Sequence, residues 1–110
     1  MHEMSITQSV VDICGKSAGG RRVISVTLEI GELSGVVPEA VGFCFDACTR
    51  DTAMEGASLI IERIPAMARC LDCGAASSVS AYYDPCPACA GYRMQLLSGE
   101  ELRVKELEVE

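Results

Sequence analysis

Residues 70–89 read CLDCGAASSVSAYYDPCPAC, two C-x-x-C pairs with twelve residues between them. A C-x-x-C pair on a tight turn directs two thiolates at one point, and two such pairs make the tetrahedral set that suits Zn²⁺. Gly74 permits the turn after the first pair. With Cys70, Cys73, Cys86 and Cys89 all bound, no position is left for water, so the expected site is structural. The stretch itself is rich in Ala, Ser, Cys and Pro and has no apolar periodicity, so it cannot build a core of its own. Structural zinc contributes about 10–16 kcal/mol in small modules. That matches the whole stability of an ordinary domain, about 5–15 kcal/mol. The segment is therefore expected to be ordered with zinc and disordered without it. A redox reading lacks the βαβ context that a thioredoxin-like C-x-x-C needs, and an iron–sulfur cluster is less favoured at this spacing.

Outward from this stretch, the pattern changes to regular elements. Ile6, Val10, Ile13 and Cys14 recur at helical spacing between Ser5, a candidate N-cap, and Lys16, with Gly15 and Gly19-Gly20 as exit signals. From Val23 the period is two: Ile24, Val26, Leu28 and Ile30 share one face and Ser25, Thr27 and Glu29 the other, a half-buried strand ended by Gly31. Pro38 suits a first helical turn and Glu39 its positive end. Val37, Val41, Cys44, Phe45 and Cys48 form the stripe of that second helix. Leu59 to Ile64 reads as a strand closed by Pro65.

The final segment alternates out of phase, Leu102 and Val104 in one register, Leu107 and Val109 in the other. One extra residue near Lys105-Glu106, a β-bulge, brings all four to one face; burial on both sides at different points is the alternative. The expected fold is α+β: a small mixed three-stranded sheet with two helices, and a zinc-ribbon-like lobe inserted before the last strands. Residues 1–66 and 94–110 form the first lobe and 67–93 the second.

The chain has 110 residues, one domain's worth, with 49% hydrophobic residues and no tryptophan. Nine basic residues against sixteen acidic ones give a formal charge of -7. That excludes the electrostatics of phosphate binding, so neither nucleic acid nor an anionic membrane surface is an expected partner. Many zinc ribbons do bind nucleic acid, but residues 67–93 balance Arg69 and Arg93 against Asp72 and Asp84. Four thiolates with Zn²⁺ add about -2 more. No apolar run reaches the roughly 20 residues of a membrane span, and the start lacks a basic segment followed by an apolar one, so the expected location is cytoplasmic. Seven cysteines, an odd number, likewise suit a reducing compartment and metal ligation better than disulfides. Cys14, Cys44 and Cys48 read as small core residues.

The only histidine is His2, between Met1 and Glu3. An α-amino group, intervening amide nitrogens and the His2 imidazole can form fused chelate rings around Ni²⁺ or Cu²⁺, with Glu3 as an oxygen ligand.

The opening Met1-His2-Glu3-Met4-Ser5, the Gly31-Glu32-Leu33-Ser34 run and Pro38-Glu39 belong to one pattern. So do Glu55-Gly56-Ala57, Leu59-Ile60-Ile61-Glu62 and the paired cysteines. Together they resemble the hydrogenase nickel-incorporation accessory proteins, the HypA/HybF family, along the whole chain. The resemblance implies a nickel metallochaperone for [NiFe] hydrogenase maturation, sometimes shared with urease, and not an enzyme. It implies Met1, His2 and Glu3 as ligands of transient Ni(II) cargo, and Cys70, Cys73, Cys86 and Cys89 as ligands of structural Zn(II). It also implies two partners, a GTPase nickel chaperone and the hydrogenase large subunit. Monomer and dimer remain equally open. The rival reading is a zinc-ribbon adaptor that binds protein or nucleic acid and uses no nickel.

Overall fold

The computed structural model of the chain describes residues 3–110. Its elements run α1 (Glu3–Ala18), β1 (Val23–Gly31), α2 (Pro38–Thr49), β2 (Ser58–Ile64), β3 (Met67–Cys70), β4 (Ala76–Ser78), β5 (Met94–Ser98) and β6 (Leu102–Val109). One sheet has the order β2-β1-β6, with β1 parallel to β2 and antiparallel to β6. This is the expected mixed three-stranded sheet with two helices. The parallel pair requires a crossover, and α2 supplies it.

The core lies where α1 and α2 cover the central strand. Val10, Val11, Cys14 and Ala18 of α1 meet Val23, Val26, Leu28 and Ile30 of β1 and Val41 and Phe45 of α2. Met54, from the loop after α2, is buried among them although no periodic pattern contains it. The α1 stripe differs from the expected one. Thr7 and Val11 point inward and Ile13 is exposed, because the contact follows positions 7, 10, 11, 14 and 18, the true helical repeat. Ser5 lies inside the helix and its carbonyl accepts a bond from Ser9 Oγ, so it is not the cap. The helix also continues through Gly15 and stops at Gly19 and Gly20, both at positive φ. In α2, Val37 is exposed and Thr49 takes an inward place, its hydroxyl bonded to the Phe45 carbonyl.

Two irregularities set the faces of the sheet. The β1–β6 ladder shifts register between Val23 and Ser25, which turns Ile24 outward and leaves Val23 in the core. It shifts again where Thr27 pairs with Glu106 and Leu28 with Val104, so that Lys105 is the extra residue. The expected bulge is there, and Val104, Leu107 and Val109 all pack on the core. Leu102 does not; it remains exposed. On the opposite face Thr27 and Glu29 are buried as well, so β1 is covered on both sides.

The cysteine segment carries a second sheet, order β4-β3-β5, that apolar periodicity does not announce. β5 pairs with β3, Cys70 opposite Met94, so Met94–Ser98 sits with the cysteines and not with the first sheet, where the sequence boundary set it. The strand was hidden because it is short and carries Leu97 on its exposed face and Ser98 on its half-buried one, which breaks the apolar–polar alternation. The lobes join through backbone bonds and one to the Glu32 side chain. Gly31 N–H donates to the Glu101 carbonyl at 2.7 Å, Leu33 N–H to the Gly99 carbonyl at 2.7 Å, and Glu32 Oε1 accepts from Ala66 N–H at 3.0 Å.

Candidate metal centre

Each cysteine pair sits on the same backbone device. In the first, Cys70 N–H donates to the Ala75 carbonyl and Gly74 N–H to the Cys70 carbonyl, both at 2.9 Å. In the second, Cys86 N–H donates to the Gly91 carbonyl at 2.8 Å and Ala90 N–H to the Cys86 carbonyl at 2.7 Å. The residue after the second cysteine turns left-handed in both, Gly74 at φ 79° and Ala90 at φ 63°. A glycine adopts this readily; an alanine is strained there. One geometry thus recurs on two different sequences.

The four sulfurs lie within 4.8 Å of one another. Cys70 and Cys89 approach to 3.6 Å, and so do Cys73 and Cys86. A tetrahedral zinc with bonds of about 2.3 Å separates its sulfurs by about 3.8 Å, so the set fits that ion with little movement. Each close contact joins a cysteine of one pair to a cysteine of the other, which fixes both knuckles at once. Cys70 and Cys86 are buried, Cys73 and Cys89 exposed.

The electrostatics of the cluster call for a cation. Cys73 N–H points at Cys70 Sγ from 3.5 Å, and this bond, aided by Asp72 N–H and the Cys89 and Cys73 thiols, brings the Cys70 thiol down to about 7 against the effect of burial. Cys89 moves the other way, to about 12: an N–H bond from Gly91 favours its thiolate, but Cys70, burial, Cys73 and Cys86 outweigh it. Cys73 is raised too, despite a bond from Ala75 N–H, by Cys86, burial and Cys70. Crowded thiolates repel, so without a metal only part of the set ionises. A divalent cation at the centre reverses that preference. Outside the sulfurs, Asp72 within the first pair accepts a 2.9 Å bond from Arg93 beyond the second. Gly91 is compact for the same reason: a Cβ there would lie 3.0 Å from Asp72 Oδ2 and 3.3 Å from Cys89 Sγ.

Of the residues expected to carry nickel, Met1 and His2 lie outside the described residues. Glu3 opens α1, and its carbonyl accepts the Thr7 hydroxyl at 2.6 Å. Next to it, Met4 Sδ meets Cys48 Sγ at 3.4 Å across the two helices. Cys14 and Cys44 are buried, as core cysteines should be, while Cys48 is only partly covered. Two features of the sites escaped sequence reading: the Asp72–Arg93 pair and the matching knuckles. The signal for the second was the placement of Gly74 and Ala90 at equal offsets from their cysteines. No helix among the described residues is long and apolar enough to cross a membrane.

The chain matches, over residues 1–109, a family model described as HypA, hydrogenase/urease nickel incorporation, metallochaperone. It is 70% identical over 110 residues to the hydrogenase maturation factor HypA of Geobacter metallireducens, covering both chains completely. The corresponding factor of Nostoc sp. is 44% identical, with all of this chain and 96% of that one covered. The solution structure of the Ni metallochaperone HypA from Helicobacter pylori superposes with a TM-score of 0.67 at 24% identity, covering 99% of this chain and 97% of that one. A second HypA solution structure gives a TM-score of 0.72 at 23% identity, covering 100% of this chain and 97% of the other.

Proposed function

Given that this chain belongs to the HypA family of hydrogenase and urease nickel-incorporation metallochaperones, we propose that it binds Ni(II) through Met1, His2 and Glu3 and hands it on for maturation of [NiFe] hydrogenase. The observation that carries the proposal is a Met1-His2-Glu3 start, with the chain's only histidine, in a member of a nickel-incorporation family.

Cys70, Cys73, Cys86 and Cys89 hold a structural zinc in this reading. The metal supplies no reaction; it offsets part of the thiolates' charge and closes the 20-residue stretch 70–89 into a rigid lobe. Nickel is cargo. The amine, amide and imidazole nitrogens select it, and a site at the end of a chain leaves part of the coordination shell open to a recipient. Binding must be firm enough to choose the ion and loose enough to release it. The recipients are a GTPase nickel chaperone and the hydrogenase large subunit, in the cytoplasm. In keeping with its family of metallochaperones, the protein acts in this reading as a carrier and not as an enzyme.

The test is native mass spectrometry of the untagged, zinc-loaded chain titrated with Ni²⁺, beside His2→Ala. One nickel per wild-type chain, lost in the variant with zinc retained, is the expected result. A wild type that takes up no nickel, or a variant that binds it equally well, overturns the N-terminal site and favours a zinc-ribbon adaptor.

A further inference from the structure

Tyr82 belongs to the loop between the two cysteine pairs, yet its hydroxyl reaches the other lobe. It donates to Glu100 Oε2 at 2.6 Å and stands 3.3 Å from the Leu33 carbonyl oxygen. Leu33 lies in the connection from β1 to α2, and Glu100 in the connection from β5 to β6. Three separate segments therefore meet at one phenol oxygen. Among the described residues between Cys73 and Cys86, the one other bond that leaves the cysteine lobe runs from Val79 N–H to the Ala66 carbonyl, at the lobe boundary itself.

The support behind Tyr82 is firm. Asp84 Oδ2 accepts from Ser80 N–H at 2.8 Å, Ser80 Oγ at 2.9 Å and Ala81 N–H at 3.2 Å, a closed turn with Tyr82 at its tip. Val79 N–H reaches the Ala66 carbonyl at 2.9 Å, anchoring the approach to that turn. Beyond it, the loop is tied down at Cys73 and Cys86, the two ends that share the sulfur cluster. The other junctions between lobes lie at the hinge itself, backbone bonds around Gly31 and Gly99 with side-chain bonds between Glu32 and Ala66 and between Ser98 and Pro65. A hinge held only at its pivot can still rotate; Leu33 and Glu100 flank that pivot, and Tyr82 reaches them from the cysteine loop outside it, as a strut does.

We propose that Tyr82 is a positioning residue that sets the orientation of the cysteine lobe against the α/β lobe, and that metal at the four cysteines acts through it. The metal closes the loop at both ends, the closed loop presents Tyr82, and Tyr82 holds Glu100. Loss of the metal frees one end of the loop and raises the entropic cost of keeping the phenol in place. The metal step rests on the zinc reading above; the orientation step does not.

Residual dipolar couplings of the full chain, zinc-loaded and uniformly ¹⁵N-labelled, read the orientation directly. In the wild type, amides of both lobes fit one alignment tensor. Tyr82→Phe keeps one zinc per chain and the chemical shifts of both sheets, but the two lobes require separate tensors, with lower order in the smaller. Glu100→Ala does the same, while Glu100→Gln, which keeps an acceptor, retains the single tensor. A single tensor in Tyr82→Phe overturns the strut. Chelation of zinc from the wild type is expected to separate the tensors as Tyr82→Phe does; an unchanged tensor overturns the metal step alone. A chain that takes up no zinc is seen independently by mass, and the Tyr82→Phe comparison still decides the strut.

Discussion

Gly31 and Gly99 lie back to back: a Cβ on Gly31 would stand 2.1 Å from the Gly99 carbonyl oxygen. Gly99 in turn has φ 116°, and its own Cβ position lies 2.7 Å from Ala66 Cα. The obstacles are backbone atoms, which cannot swing aside. This crossing is where the two lobes join, and it is closed to any side chain. Gly31→Ala is expected to cost about 3 kcal/mol, at the upper end for overpacking, read as a lower denaturation midpoint of the zinc-loaded chain. Gly15→Ala is the contrast. Nothing lies within 4 Å of its Cβ position, on an exposed helical turn, so the same change should stabilise by about 0.5–1 kcal/mol.

The two knuckles differ at one residue, and the difference is testable. Ala90 has φ 63° where its counterpart is Gly74. The left-handed conformation costs a non-glycine residue about 1–2 kcal/mol, against about 0.5–1 kcal/mol for the freedom a glycine loses on folding. Ala90→Gly is expected to raise stability slightly, by about 0.5 kcal/mol. Gly74→Ala should lower it by about 1 kcal/mol. Thermal unfolding with zinc bound checks both signs.

Glu29 is nearly buried, its side chain 12% exposed, and its partner Arg103 reaches over it from β6. Removing Arg103 leaves a carboxylate with little water and only the Lys105 charge, itself bonded to Glu62, to offset it. Arg103→Met should therefore lower stability, while Glu29→Gln combined with Arg103→Met recovers most of the loss. A double-mutant cycle by chemical denaturation gives the coupling.

The Asp84 carboxyl is held below its usual value of 3.8 by the bond from Ser80 N–H, then by that from the Ser80 hydroxyl. A depressed acid contributes its stability in full above the unfolded value and loses it as pH falls through the folded one. The turn that carries Tyr82 is thus expected to stay closed at neutral pH and to open only below about pH 4. Carboxyl ¹³C shifts of Asp84 with amide shifts of Ser80 and Ala81 follow the same titration.

Nickel affinity is expected to fall steeply between pH 7.5 and pH 5.5, since protons compete for a histidine whose unperturbed pKa is ~6.5 and for the terminal amine. Nickel titrations at the two pH values measure it; equal affinity at both contradicts an amine and imidazole site.

Local chemistry made much of this protein legible. The C-x-x-C spacing announced a four-sulfur cluster because ligand geometry is written in short-range offsets, and the sulfurs do converge within 4.8 Å. The phase break at Lys105 announced a bulge, since side-chain alternation in a strand has a strict period of two. The three cysteines outside the cluster read correctly where they are buried, at Cys14 and Cys44, and less well at Cys48. Short strands without alternation were silent, which is why β3, β4 and β5 came only from the fold.

Residues near in sequence, then, determined the helices, the first sheet, the four-cysteine cluster and the family resemblance, because capping, periodicity and cysteine spacing act over a few residues. Only the tertiary structure decided that Met94–Ser98 pairs with Met67–Cys70, that Gly31 meets Gly99, and that Tyr82 touches Glu100. Those contacts join segments separated by loops, and their energy depends on how two sheets cross, which no local pattern encodes.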